Sequence, residues 1–107
     1  MKFEDRFTER AKNVLNLAHE AAADMGHGYV GSEHILLGIA ADGGGSAAKV
    51  LRSNGIDKDL IQASIEKFVG RGESDSTTVQ GLTPRAKRII ELAAVSYTHL
   101  FPEFQLP

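Results

Sequence analysis

The chain has 107 residues, 42% of them hydrophobic, a net charge of −2, and neither cysteine nor tryptophan. That length suits one small domain with a modest core. The near-neutral charge gives no electrostatic reason to expect nucleic acid or an anionic membrane as partner, and without cysteine these residues offer no disulfide and no thiolate metal ligand.

The opening stretch MKFEDRFTER is charged throughout and does not read as a secretory signal. No apolar run approaches the roughly 18 residues of a bilayer span, so a cytoplasmic protein is expected. Ala11, Val14, Leu15, Ala18, Ala22 and Met25 recur at steps of three and four, which predicts an amphipathic helix from about residue 9 to 25. Thr8 is placed to cap it, Glu9 complements its dipole, and Gly26 ends it.

The segment GHGYVG (26–31) reads as a turn-rich loop. Ser32 is expected to cap a second helix with Ile35, Leu36, Leu37, Ile39 and Ala40, so apolar that it should be the most buried. Gly43, Gly44 and Gly45 stop it. A short third helix carries Ala47, Ala48, Val50 and Leu51 and ends near Asn54-Gly55. Asp57 caps a fourth, with Ile61, Ile65, Phe68 and Val69 on one side and an Ile56–Ile61 staple across its start. The expected core stripe is Val14, Leu15, Ile35, Leu36, Ile39, Ile61, Ile65 and Phe68.

Residues 70–81, GRGESDSTTVQG, are poor in apolar residues and rich in Gly, Ser and Thr, which predicts a flexible linker over 71–81. A fifth helix starts at Pro84, a residue suited to the first helical position. It should run into the mid-90s with Ala86, Ile89, Ile90 and Ala93 inward. Strand signals are weak, and Tyr29-Val30 is too short to count. The fold expected is all-α, a helical array with short connections.

The glycines of 26–31 spell G-x-G-x-x-G, but a dinucleotide fingerprint needs a preceding strand and an acidic residue about 20 positions on. Here an amphipathic helix precedes it, and the chain reads KVLRSNG near residue 51. No G-x-x-x-x-G-K-[ST] occurs, so this stretch has no phosphate-cradling motor loop and is not expected to be an enzyme. His19, His27, Glu33 and His34 lack the H-E-x-x-H spacing of a metal site; neither metal nor cofactor is expected, and His34 reads as a helix-start residue packed under a loop. Glu33 reads most simply as a first-turn carboxylate complementing the helix dipole. Arg10, Lys12, Arg85, Lys87 and Arg88 read as solvated faces open to adaptor contact.

The chain also states one motif twice. FTERAKNVLNLAHEAA (7–22) returns as LTPRAKRIIELAAVSY (82–97), with Thr8, Arg10, Ala11, Lys12, Leu17 and Ala18 matching Thr83, Arg85, Ala86, Lys87, Leu92 and Ala93. A 75-residue period is too long for a two-helix solenoid unit, so each copy should open a several-helix subdomain.

The doubled [FL]T-x-R-A-K start, the GHGYVGSEH loop, the KVLRSNGID helix pair and the polar linker together resemble the amino-terminal domain of Clp/Hsp100 unfoldases, the ClpC type of Gram-positive bacteria above all. The resemblance covers residues 1 to about 94. It implies a Clp N-terminal-domain-like array in which 1–70 is one complete four-helix repeat, 71–81 the linker, and 82–95 the first helix of a second repeat. Residues 96–107 form an atypical tail, as from a truncated or frame-disrupted reading, with Pro102 and Pro107 opposing a helix. It implies a non-catalytic module that receives protein substrates and MecA-like adaptors for an ATPase ring and the ClpP protease. It further implies recognition of phosphoarginine, with Glu33 taking the guanidinium, Thr8 beside it at a phosphate-attracting helix start, and Thr83 in the corresponding place of the second repeat. The competing expectation is a truncated structural remnant without independent activity.

Overall fold

The computed structural model describes residues 7–73 and 79–100, with side chains as far as Ala93. Five helices follow in order: α1 (Glu9–Asp24), α2 (Ser32–Asp42), α3 (Ser46–Ser53), α4 (Lys58–Phe68) and α5 (Pro84–Leu100). The described residues contain no strand, only an isolated parallel bridge between Val30 and Leu82. The array is all-α, one four-helix repeat plus the first helix of a second.

Local chemistry sets the helix ends. The Thr8 hydroxyl accepts the Ala11 N–H at 3.1 Å, and the Thr83 hydroxyl accepts the Ala86 N–H at 3.1 Å. The repeated motif thus makes the same cap twice, each worth about 1 kcal/mol. Asp57 caps α4 by accepting the Leu60 N–H at 2.8 Å. Gly26 and Gly43 adopt φ of +73° and +70° just past α1 and α2, a region open to glycine at little cost. The cap of α2 lies one residue earlier than Ser32. Gly31 is the capping position, and its N–H donates to His34 Nδ1 at 2.8 Å, so histidine fills the third-position role usually taken by Glu or Gln.

α1 and α2 pack antiparallel, and α2 is the hub, touching each of the other four helices. The crossing is tight because position 38 is glycine: a Cβ there would lie 2.5 Å from the Val14 carbonyl oxygen and 3.1 Å from Ala18 N. Where α1 starts and α2 ends, Asn13 Nδ2 donates to Asp42 Oδ1 at 2.7 Å and Arg10 Nε lies 3.7 Å from Asp42 Oδ2. The Asn13 bond leads in holding the Asp42 carboxyl below its ordinary range. Arg10 is therefore not simply solvated; its guanidinium lies over Gly44, where a Cβ would crowd it.

Met25, Leu37, Ile61 and Ile65 form one buried cluster, with Ala21, Ala40, Leu51 and Ile56 packed against it. Each large side chain so buried contributes about 1.5–3 kcal/mol. A second cluster joins Ala18, Ala22 and Val30, with Ile35, Val79 and Leu82 against it, and brings the approach to α5 onto α1, α2 and the loop between them.

Val14, Leu15 and Ile39 of the expected stripe are half-buried outside these clusters, and two more of its residues are exposed. Leu36 is 41% exposed and Phe68 79% exposed. Ile35, Leu36 and Leu37 are consecutive, so at 100° per residue they cannot all face inward; Leu37 takes the interior. Phe68 is the last residue of α4, beyond the turn that packs on α2. Val69 is exposed as well. Among the described side chains of α5 only Ala86 is fully buried; Ile90 is half-buried, and Ile89 and Ala93 are exposed. α5 also continues past the mid-90s to Leu100. The first strong breaker in the sequence is Pro102, which disfavours helix at the residue before it. The part of the expected tail at 101–107 and the linker residues 74–78 lie outside the described residues.

Candidate functional site

Three segments meet at the start of α2. The first is the 26–31 loop, pinned to α1 by the His27 N–H donating to the Ala22 carbonyl at 2.9 Å. The second is the chain leaving α4. Gly72 N–H donates to the Met25 carbonyl at 2.8 Å, and Gly26 and Gly72 pass so closely that a Cβ on either would collide with the other's backbone. The third is the approach to α5. Gln80 N–H donates to the Gly28 carbonyl, Val30 N–H to that of Gly81, and Thr83 N–H to that of Val30, at 2.7–2.9 Å.

Glu33 stands on this junction at the second position of α2. Its carboxylate is about one-third exposed, with Oε1 3.7 Å from His34 Nδ1. It also borders an open groove of 390 Å³ between α2 and α4, walled by Leu36, Ile56, Leu60 and Phe68. Leu36 and Phe68, which the sequence assigns to the core, thus form part of the wall beside the acid.

His34 is 1% exposed, packed beneath the loop as expected. Its Nε2 lies 2.7 Å from His27 Nδ1, and His27 Nε2 lies 2.7 Å from the Gly70 carbonyl oxygen. Burial holds the His34 pKa below the ordinary 6.5; Glu33 opposes that shift and His27 adds to it. This histidine pair went unseen in the sequence; its one signal was the GH…EH spacing around a glycine-rich loop.

The three expected binding residues are not brought together as a set. Thr83 is bonded through its backbone to Val30, three residues before Glu33. Thr8 caps α1 at the other end of the α1–α2 pair, where Asn13 meets Asp42. Glu33 to Asp42 spans nine steps of α2, about 14 Å of rise. The backbone therefore sets the Glu33 loop beside Thr83, not Thr8.

The glycine-rich loop does not offer a phosphate cradle. Its His27, Val30 and Gly31 N–H groups are already bonded within the protein, and a helix precedes it. Among the described residues no three His, Asp or Glu side chains gather as metal ligands. Among the described residues no helix is long and apolar enough to cross a membrane.

The Clp repeat (R) N-terminal domain profile matches residues 6–100. The chain belongs to the Clp repeat N-terminal domain family. It is 50% identical over 88 residues to the negative regulator of genetic competence ClpC/MecB of Bacillus subtilis, covering 82% of this chain and 11% of that protein. It is 47% identical over 88 residues to the chaperone protein ClpB of Oceanobacillus iheyensis (82% and 11%), and 47% identical over 89 residues to the chloroplastic chaperone ClpC1 of Arabidopsis thaliana (83% and 10%). The chain thus spans about a tenth of the length of these relatives. The Clp repeat domain is a binding domain, not a catalytic one.

Proposed function

We propose that this Clp repeat domain is a cytoplasmic docking module that receives protein substrates and MecA-like adaptors for a Clp-type ATPase ring working with the ClpP protease. It does so in part by taking phosphoarginine on the junction of Glu33 and Thr83. The observation that carries this reading is the Thr83–Val30 bond, which sets a helix start beside the loop leading into a partly exposed carboxylate.

The chemistry divides between the two residues. A carboxylate accepts paired N–H bonds from a planar guanidinium, and a helix start favours the phosphate. Pro84 has no N–H and the Ala86 N–H is held by Thr83, so the phosphate falls to the Thr83 O–H and the Arg85 N–H. Thr8 offers a second, separate helix start, without Glu33 beside it. The apolar wall of Leu36, Ile56, Leu60 and Phe68 would accompany chain on either side of the modified arginine.

Calorimetry with a phosphoarginine peptide against its unmodified arginine twin tests this. The reading expects binding of the modified peptide alone, lost in Glu33→Gln. Equal binding of both peptides, or none by the folded domain, contradicts it.

A further inference from the structure

The bonds through His27 and His34 run in series, and both ends fix where the protons sit. The Gly31 N–H can only donate, so His34 Nδ1 must be bare and its proton must be on Nε2. The Gly70 carbonyl can only accept, so the proton of His27 must be on its Nε2, leaving Nδ1 bare. The middle bond is then His34 Nε2–H to His27 Nδ1. The chain of bonds closes only when each ring carries one proton. It ties the start of α2 to the end of α4, 36 residues further along.

We propose that His27 and His34 are positioning residues that hold the Glu33 loop only while both rings are neutral, so that acidification frees the loop from α4 and weakens ligand binding. The ligand half rests on the phosphoarginine reading above; the clasp itself does not. A solvent proton arriving on His34 Nδ1 displaces the Gly31 N–H and turns that nitrogen into a donor. The group placed to receive it is Glu33, whose Oε1 is already 3.7 Å away. Protonation therefore undoes the α2 cap and engages the carboxylate that the guanidinium needs. A proton on His27 Nδ1 sets two N–H groups against each other across 2.7 Å.

The charged groups around the clasp fit this role. From α2 the facing group is Glu33. From the segment after α4 it is Arg71, whose guanidinium is held by Glu66 and the Asp24 carbonyl. Around Val30 the buried neighbours are apolar, Ala18 and Ala22 of α1 with Val79 and Leu82 of the α5 approach; the titratable groups these elements bring to the groove at Val30 are His19 of α1 and Lys87 and Glu91 of α5. The burial that lowers the His34 pKa acts in the same direction as the geometry.

Nitrogen-15 NMR of the imidazoles and amide exchange on the whole chain test it. At pH 7.5 both rings should be Nε2–H tautomers and the Gly31 amide protected. At pH 5.5 Gly31 protection, corrected for intrinsic exchange, should fall at least tenfold while Ala18 in α1 keeps its own. His34→Ala, which removes the acceptor, should bring Gly31 protection at pH 7.5 down to the acid level and flatten its pH response, whereas His27→Ala, which leaves that acceptor, should lower it only in part. An Nδ1–H tautomer on either ring, or Gly31 protection unchanged down to pH 5.5, overturns the clasp. Phosphoarginine affinity should fall in step with Gly31 protection; a clasp that opens while that affinity stays constant overturns the ligand half alone.

Discussion

Thr83 donates its backbone N–H to the carbonyl of Val30 at 2.9 Å, binding the start of α5 to the loop that presents Glu33. The two copies of the repeated motif are thereby distinguished. Both threonines cap a helix with the same 3.1 Å bond, yet only the second is bonded to the loop that leads to the acid.

Thr8→Ala and Thr83→Ala should therefore look alike in stability and differ in binding. Each loses a cap, about 1 kcal/mol in chemical denaturation. Phosphoarginine affinity should weaken several-fold in Thr83→Ala and stay within twofold of wild type in Thr8→Ala. The pair of titrations checks which helix start serves the ligand.

Gly38→Ala probes the α1–α2 crossing. The added methyl would press on the Val14 carbonyl, and such overpacking costs typically about 1–3 kcal/mol. The urea midpoint should drop although alanine is the better helix former, which would raise stability by up to about 1 kcal/mol if propensity alone decided.

Leu37→Ala against Phe68→Ala separates core from groove. Leu37 is 4% exposed and should cost about 2–5 kcal/mol. Phe68, 79% exposed, should change stability by no more than about 0.5 kcal/mol. Denaturation of the two variants checks the assignment, and Phe68→Ala should also reduce affinity for a peptide with apolar residues flanking its phosphoarginine.

What could be read from the sequence was local. Thr8, Thr83 and Asp57 cap helices because a side-chain oxygen three residues ahead of a free N–H needs no distant partner. The family resemblance was carried by contiguous motifs and extends to the fold. Burial of Leu36 or Phe68 could not be settled that way, since it depends on which face α2 and α4 show each other. The histidine chain and the Thr83–Val30 bond were hidden for a similar reason. They join residues seven, 43 and 53 positions apart through a loop whose path no periodicity encodes. Pairing Thr8 with Glu33 was natural within one repeat, but the chain sets the second repeat's threonine against the first repeat's loop.

Stability should fall in mild acid. The folded His34 pKa lies below 6.5 because burial disfavours the imidazolium. The unfolded state then binds the extra proton first, so the His34 contribution is complete above about pH 6.5 and is lost as pH drops through the folded value. Denaturation between pH 7.5 and 5 should show stability falling with pH, the slope from this one proton bounded by about 1.4 kcal/mol per pH unit. Asp42 acts later and in the same sense, its contribution lost only as pH falls below the ordinary carboxylate range.

Chemical-shift mapping of free phosphoarginine on the labelled domain at pH 7.5 tests the Glu33–Thr83 junction most directly. Perturbations concentrated on the amides of 30–34 and 82–86, and absent in Glu33→Gln, are the predicted result. Perturbations centred on 7–11, or unchanged in Glu33→Gln, would contradict it.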